Sequence, residues 1–164
     1  MAQNNTVYTF EKLYQTGDVI FKQGDDSKCM YEVQEGRVDL YTNYGTDKQK
    51  KIAEFGPGRF FGEMGMVEGL PRSATAVAAH KDTLLDEVTW EVLALYFKKK
   101  PARVVQIMQQ MGDRLRITTK AAMEMRGLVN SALEDLQQSN YKGEALAMLY
   151  TSLKNMDKTL GDNK

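Results

Sequence analysis

Residues 60 to 75 read Phe60-Phe61-Gly62-Glu63-Met64-Gly65-Met66-Val67-Glu68-Gly69-Leu70-Pro71-Arg72-Ser73-Ala74-Thr75. Gly62 carries no Cβ, so the backbone there admits a ligand at close range. Glu63 supplies a carboxylate acceptor suited to a sugar hydroxyl. Arg72 presents a planar fork of donors that matches phosphate oxygens at two points. Residues 63–67 are predicted to form one helical turn, whose free N–H groups also favour an anion. These groups together suit a cyclic phosphodiester on a ribose, with Arg72 as the leading candidate contact.

Upstream, Gly17, Gly24, Gly36, Gly45, Gly56, Gly58 and Gly62 punctuate the chain at roughly ten-residue intervals, the spacing of an all-β sandwich or barrel. Strands are predicted over 19–21, 30–34, 37–41, 51–55, 73–79 and 83–88. Val38, Leu40 and Ile52 sit among polar neighbours, as half-buried strands require. Gln34-Glu35-Gly36 and Asn43-Tyr44-Gly45 are expected hairpin tips. Cys29, within a strand-like run, is expected to be a small buried apolar residue.

The character changes at Thr89, an expected helix N-cap with Glu91 in the first turn. A short helix is predicted over 90–97, and Pro101 is placed to open a second one. From there Val104, Met108, Met111, Leu115, Thr118, Ala122, Met125, Val129, Ala132 and Leu136 follow alternating steps of four and three. Such a seam marks a helix that pairs with another helix, and the competing reading packs it on its own barrel. Thr118 is its polar exception. Gly127 permits a bend, residues 140–143 a break, and a last short helix is predicted over 144–157.

Composition limits the function. At 42% hydrophobic and 27% charged residues, the 164-residue chain is expected to fold rather than to remain disordered. It contains no run of about 18 apolar residues that would span a membrane, and its first ten residues have no signal-peptide pattern. Cys29 is the only cysteine and His80 the only histidine, which removes internal disulfides, multi-histidine metal sites and the usual catalytic triads. A cytoplasmic protein without metal or cofactor is expected. Residues 1–97 hold 10 basic and 15 acidic side chains, and residues 98–164 hold 12 and 7. A net +5 over the second part is a weak signal for nucleic acid. The lysine runs at 48–51 and 98–100 are expected to be solvated loops.

Gly62-Glu63 followed by Pro71-Arg72-Ser73-Ala74-Thr75 resembles the phosphate-binding cassette of the cyclic nucleotide-binding domain family. That family includes bacterial cAMP receptor proteins, regulatory subunits of cAMP-dependent kinase and cyclic-nucleotide-gated channels. Gly17-Asp18, Gly24-Asp25 and Glu35-Gly36 fall as the family's turns do. Arg114-Leu115-Arg116-Ile117-Thr118-Thr119 is similar to the ligand-contacting stretch of the receptor protein's dimer helix. The resemblance covers roughly residues 10 to 125.

The resemblance implies a mainly β fold with helices: a double-stranded β-helix, or jelly roll, over residues 1–100, a long dimerisation helix over 101–139 and a short helical tail over 140–164. It gives Glu63 the ribose 2′-hydroxyl and Arg72 the cyclic phosphate. The Gly62 backbone and Ser73 hydroxyl add hydrogen bonds, Met64 and Ala74 complete the cassette lining, and Arg114 lies near the phosphate. Thr118, and Thr119 from a partner subunit, read the purine. The implied ligand is cAMP in preference to cGMP: serine at position 73 is compatible with cAMP in bacterial members, although a hydroxyl there assists guanine in some kinases. The loop from Glu63 to Arg72 is compact, closer to the kinase pattern than to the receptor protein's.

The expected role is thus a non-catalytic sensor, homodimeric through residues 102–136, acting on an unknown protein partner. No strand-rich wing follows residue 128, so DNA binding is not expected. The rival readings are a family member that has lost its ligand and serves as a dimeric interaction module, and, below it, a metal-dependent enzyme on a cupin-like barrel.

Overall fold

A computed structural model of the chain describes residues 9–138, 147–152 and 154–155. The alternation in the first half folds into two antiparallel four-stranded sheets. Their strands are β1 (Phe10–Tyr14), β2 (Val19–Phe21), β3 (Cys29–Glu35), β4 (Val38–Thr42), β5 (Lys50–Phe55), β6 (Phe60–Phe61), β7 (Thr75–Ala78) and β8 (Thr83–Thr89). One sheet runs β1-β8-β3-β6 and the other β2-β7-β4-β5. Successive strands repeatedly change sheet, which gives the jelly roll that the resemblance implies. Helix α1 (Glu63–Glu68) joins β6 to β7, α2 (Trp90–Lys99) follows β8, and α3 (Ala102–Gln138) comes last among the named elements. Residues 147–152 and 154–155 are also helical; the expected break at 140–143 lies outside the described residues.

The six predicted strands are present, with ends displaced by a residue or two. Two more were not predicted. β1 is exposed along most of its length and pairs only with β8, so it lacks the buried alternation that marks a half-covered strand. β6 has two residues, too few to show a period. The Gly36 turn needs its glycine twice: φ is 81°, and a Cβ would lie 2.5 Å from Thr83 Oγ1.

The core has two parts. Tyr31, Val33, Val38, Phe55, Phe61, Ala76 and Leu85 fill the space between the sheets. Met30, Phe60, Met66, Val88 and Tyr96 form a second cluster, joined by Val92, Leu93, Phe97 and Ile107. β3 serves both, because successive side chains leave opposite faces of a strand.

Thr89 occupies the N-cap position of α2, yet its hydroxyl does not cap the helix. It hydrogen-bonds the Glu91 carboxyl instead, which together with the Glu91 backbone N–H holds that acid below its usual range. Lys100 is no solvated loop residue: its Nζ lies 3.6 Å from Glu32 and 3.2 Å from Asp86. Gly127 lies within α3, which runs on to Gln138.

The chain divides into two compact units, Met1–Gln110 and Met111–Lys164. In the first, the α3 residues that meet the barrel are Arg103, Ile107 and Gln110, a stripe of one helical face by its 4-then-3 spacing. The seam positions beside it, Val104 and Met108, are exposed. In the second unit Met111, Leu115 and Met125 are exposed as well, while Val129 is buried.

Candidate functional site

β6 ends at Phe61, and the chain then turns through Gly62 with φ 76° into α1. A Cβ at Gly62 would stand 2.5 Å from Arg72 Nη1. The left-handed backbone and the close approach of the guanidinium therefore both require glycine here. Glu63 is the first residue of α1 and is buried. At the other end Gly69 is also left-handed, and the Leu70 N–H donates to Gly65 O at 3.0 Å. The segment is a tight turn of helix between the two candidate ligand contacts.

Arg72 is held by its backbone before its side chain is considered. Its N–H donates to Asp25 O at 2.9 Å, and its carbonyl accepts from the Gly24 N–H at 2.9 Å. That turn is fixed in its own right by the Lys22 N–H donating to Asp25 Oδ2 at 2.8 Å. From sequence Gly24-Asp25 reads only as a turn; in the fold it is what aims Arg72.

The guanidinium is 5% exposed. Nη1 donates to Gly62 O at 2.6 Å, and Nη2 to Cys29 O at 2.7 Å and Cys29 Sγ at 3.5 Å. The Phe21 ring lies 4.1 Å beneath Cζ, with Tyr31 at 5.9 Å. Phe21, Tyr31 and Phe61 pack on one another with centroids 5.1 to 6.0 Å apart, so the arginine rests on an aromatic floor. Nε is buried and makes no hydrogen bond within the described residues. An arginine has five N–H donors, and those not turned to the Gly62 carbonyl or to the Cys29 carbonyl and thiol suit an anion.

Cys29, Phe21 and Tyr31 were not among the expected site residues. Cys29 is half-buried rather than fully buried, and burial pushes its thiol up in pKa. Burial also pushes the Tyr31 phenol well above its ordinary value. One signal in the sequence pointed this way: Cys29 and Tyr31 are two apart on a strand and so share a face.

Of the expected residues, Gly62, Glu63 and Arg72 converge, and Met64, Ser73 and Ala74 flank them. Ser73 and Met64 are exposed, and Ala74 is buried. Arg114, Thr118 and Thr119 belong to α3 in the second unit, where the threonines are exposed and Arg114 is partly so. His80 is exposed, as expected, with Nδ1 2.7 Å from Lys81 O. Among the described residues no group of three metal-ligating side chains occurs. No helix there is long and apolar enough to cross a membrane.

The chain was compared with known proteins. A family model described as the cyclic nucleotide-binding domain matches residues 11–94. The cyclic AMP receptor protein of Thermus thermophilus is 38% identical over 88 residues, which are 54% of this chain and 41% of that protein. A cAMP-dependent protein kinase regulatory subunit of Eremothecium gossypii is 37% identical over 94 residues, 55% of this chain and 19% of the subunit. The chain thus spans less than half the length of these relatives. Among solved structures, the Thermus thermophilus catabolite activator protein superposes with a TM-score of 0.60 at 27% identity, covering 94% of this chain and 79% of that one. A cyclic nucleotide-binding domain from Methylobacillus flagellatus gives 0.59 at 21% identity, which speaks for the fold alone. With a turn that fixes Gly62, Glu63 and Arg72 together, and a family match over just these strands, the chain belongs to the cyclic nucleotide-binding domain family.

Proposed function

We propose that the protein is a cyclic nucleotide sensor that favours cAMP over cGMP and signals without catalysis. The observation that carries this is Arg72: a buried guanidinium seated on aromatic rings and backbone carbonyls, whose Nε makes no hydrogen bond among the described residues. A cyclic phosphate supplies the acceptors that those donors lack. Glu63, at the start of the same turn, accepts from the ribose 2′-hydroxyl, while the Gly62 backbone and Ser73 hydroxyl add hydrogen bonds and Met64 and Ala74 line the cassette. Support for cAMP comes from the relatives, which are named as a cyclic AMP receptor protein and a cAMP-dependent protein kinase regulatory subunit.

In this reading residues 1–100 sense the ligand, residues 101–139 form a dimerisation helix and residues 140–164 a tail. The exposed seam residues Met108, Met111, Leu115 and Met125 support a homodimer through residues 102–136. Arg114 approaches the phosphate, and Thr118 and Thr119 contact the purine, one of them across the dimer. Output passes to a protein partner in the cytoplasm, with neither DNA nor membrane engaged.

Calorimetric titration with cAMP and cGMP tests the reading. Micromolar or tighter binding is expected for cAMP, weaker binding for cGMP, and a smaller gap between them in Thr118→Val. No heat and no thermal shift with either nucleotide would leave the family membership standing and favour the second reading, a dimeric interaction module that has lost its ligand.

A further inference from the structure

β6 is the edge of its sheet, and Phe60 pairs across it with Glu32 of β3. The backbone polar groups of an edge strand need a partner from elsewhere, and Phe60 is fully buried, so water cannot serve. Gln110 of α3 is that partner. Its Oε1 accepts from the Phe60 N–H at 3.1 Å, and its Nε2 donates to the Phe60 carbonyl. A carboxamide offers one acceptor and donors on one plane, so the side chain stands in for a peptide unit of a missing strand. Gln110 itself is only 4% exposed.

Phe60 is two residues before Gly62, whose carbonyl receives Arg72, and three before Glu63. The same helix face makes two further attachments. Arg103 reaches Glu32 Oε1 at 2.5 Å, and Ile107 packs in the cluster that holds Phe60 and Met66 of α1. Positions 103, 107 and 110 lie within about two helical turns, and all three attach at or beside Phe60, in the strand that leads into the cassette.

We infer that Gln110 is a positioning residue of the nucleotide site: through the Phe60 backbone it sets the placement of Gly62 and Glu63, and it couples ligand occupancy to the start of α3. The inference rests on the reading of the cassette as a nucleotide site. Coupling of this kind is reciprocal, so a change on the helix side must appear in ligand affinity.

The test uses the full chain and cAMP, with affinity measured by calorimetry and amide hydrogen exchange followed over residues 60–63 and 102–110. Gln110→Leu removes both hydrogen bonds, and Gln110→Glu keeps the size and the acceptor but loses the donor to the Phe60 carbonyl. In the wild type, cAMP is expected to slow exchange in both segments. In either variant that circular dichroism shows to be folded, cAMP should bind at least tenfold more weakly, and the slowing over 102–110 should vanish. Binding within twofold of wild type, with the helix response kept, overturns the inference while the nucleotide reading stands. Weaker binding with the helix response intact marks Gln110 as a structural residue only and overturns it too. Absence of any binding by the wild type to cAMP or cGMP removes the underlying reading, and the inference falls with it.

Discussion

Two buried charges sit on opposite faces of β3, and the protein treats them differently. Glu32 is fully buried and is met by the Tyr96 hydroxyl, by Arg103 at 2.5 Å and by Lys100 at 3.6 Å. Arg72, reached from the other face through Cys29 and Tyr31, is met by two carbonyls, a thiol and aromatic faces. Both solutions keep a charge out of water, but among the described contacts full opposite charge meets only the first. A buried ion whose neighbours include countercharges is a finished structural joint. One whose known neighbours are dipoles and π faces, with a donor left over, is suited to an external anion. On the proposed reading, the difference gives Glu32 to architecture and Arg72 to the ligand.

Breaking the finished joint should have the largest effect on the fold. Glu32→Ala removes the carboxylate that Arg103 and the Tyr96 hydroxyl meet and leaves Lys100 to Asp86, and should lower stability by about 3 kcal/mol. Chemical denaturation would show it as a shifted midpoint with little change in slope. An unchanged midpoint would mean that the cations simply return to solvent.

On the ligand side the corresponding lesion is Gly62→Ala. The positive φ alone costs about 1 kcal/mol for a residue with a Cβ, and that Cβ would press on Arg72 Nη1. Stability should fall by about 1–2 kcal/mol, and nucleotide affinity should fall further than the stability loss explains. Equal affinity in the variant would show that the guanidinium does not need its present seat.

A smaller effect, shared by the two faces, appears with pH. Burial raises both Tyr31 and Tyr96, with the Glu32 carboxylate adding to the rise at Tyr96. Both phenols therefore stay protonated in the folded protein above the ordinary value of 10.0, while the unfolded chain releases those protons. The unfolded state then binds fewer protons, so stability falls as pH rises past that value. Tyrosinate absorbance should report the exposed tyrosines first and these two only on unfolding. Tyr31→Phe should flatten the alkaline loss slightly. Burial likewise raises Cys29, so alkylation at neutral pH should be slower than for a free thiol, and slower again with cAMP bound.

The sequence made the ligand face more legible than the joint. Glycines at positive φ mark turns wherever they stand, and the cassette is contiguous, so Gly62, Glu63 and Arg72 could be read from one short stretch. The Glu32 network draws on β3, α2 and α3, with residues separated by up to 71 positions from Glu32 to Arg103, and no local pattern joins them. Lys100 looked like part of a solvated lysine run because composition does not show a carboxylate arriving from a distant strand. On α3 the apolar seam drew attention to Val104 and Met108, whereas the contacts to the barrel come from the adjacent stripe. Two of that stripe's three members, Arg103 and Gln110, are polar and invisible to a hydrophobic period. β6 was missed for want of length, although it carries the Phe60 backbone on which Gln110 acts.

The central claim is that the unused donors of Arg72 receive a cyclic phosphate, and the direct measurement compares cAMP with adenosine on the wild type and on Arg72→Ala. Adenosine keeps the purine and ribose and lacks the phosphate. The wild type should bind cAMP at least a hundredfold more tightly than adenosine, about 2.7 kcal/mol, and the variant should bind both alike while remaining folded. If Arg72→Ala retained the full preference for cAMP, the phosphate would be held elsewhere, and the role assigned to this arginine would be wrong.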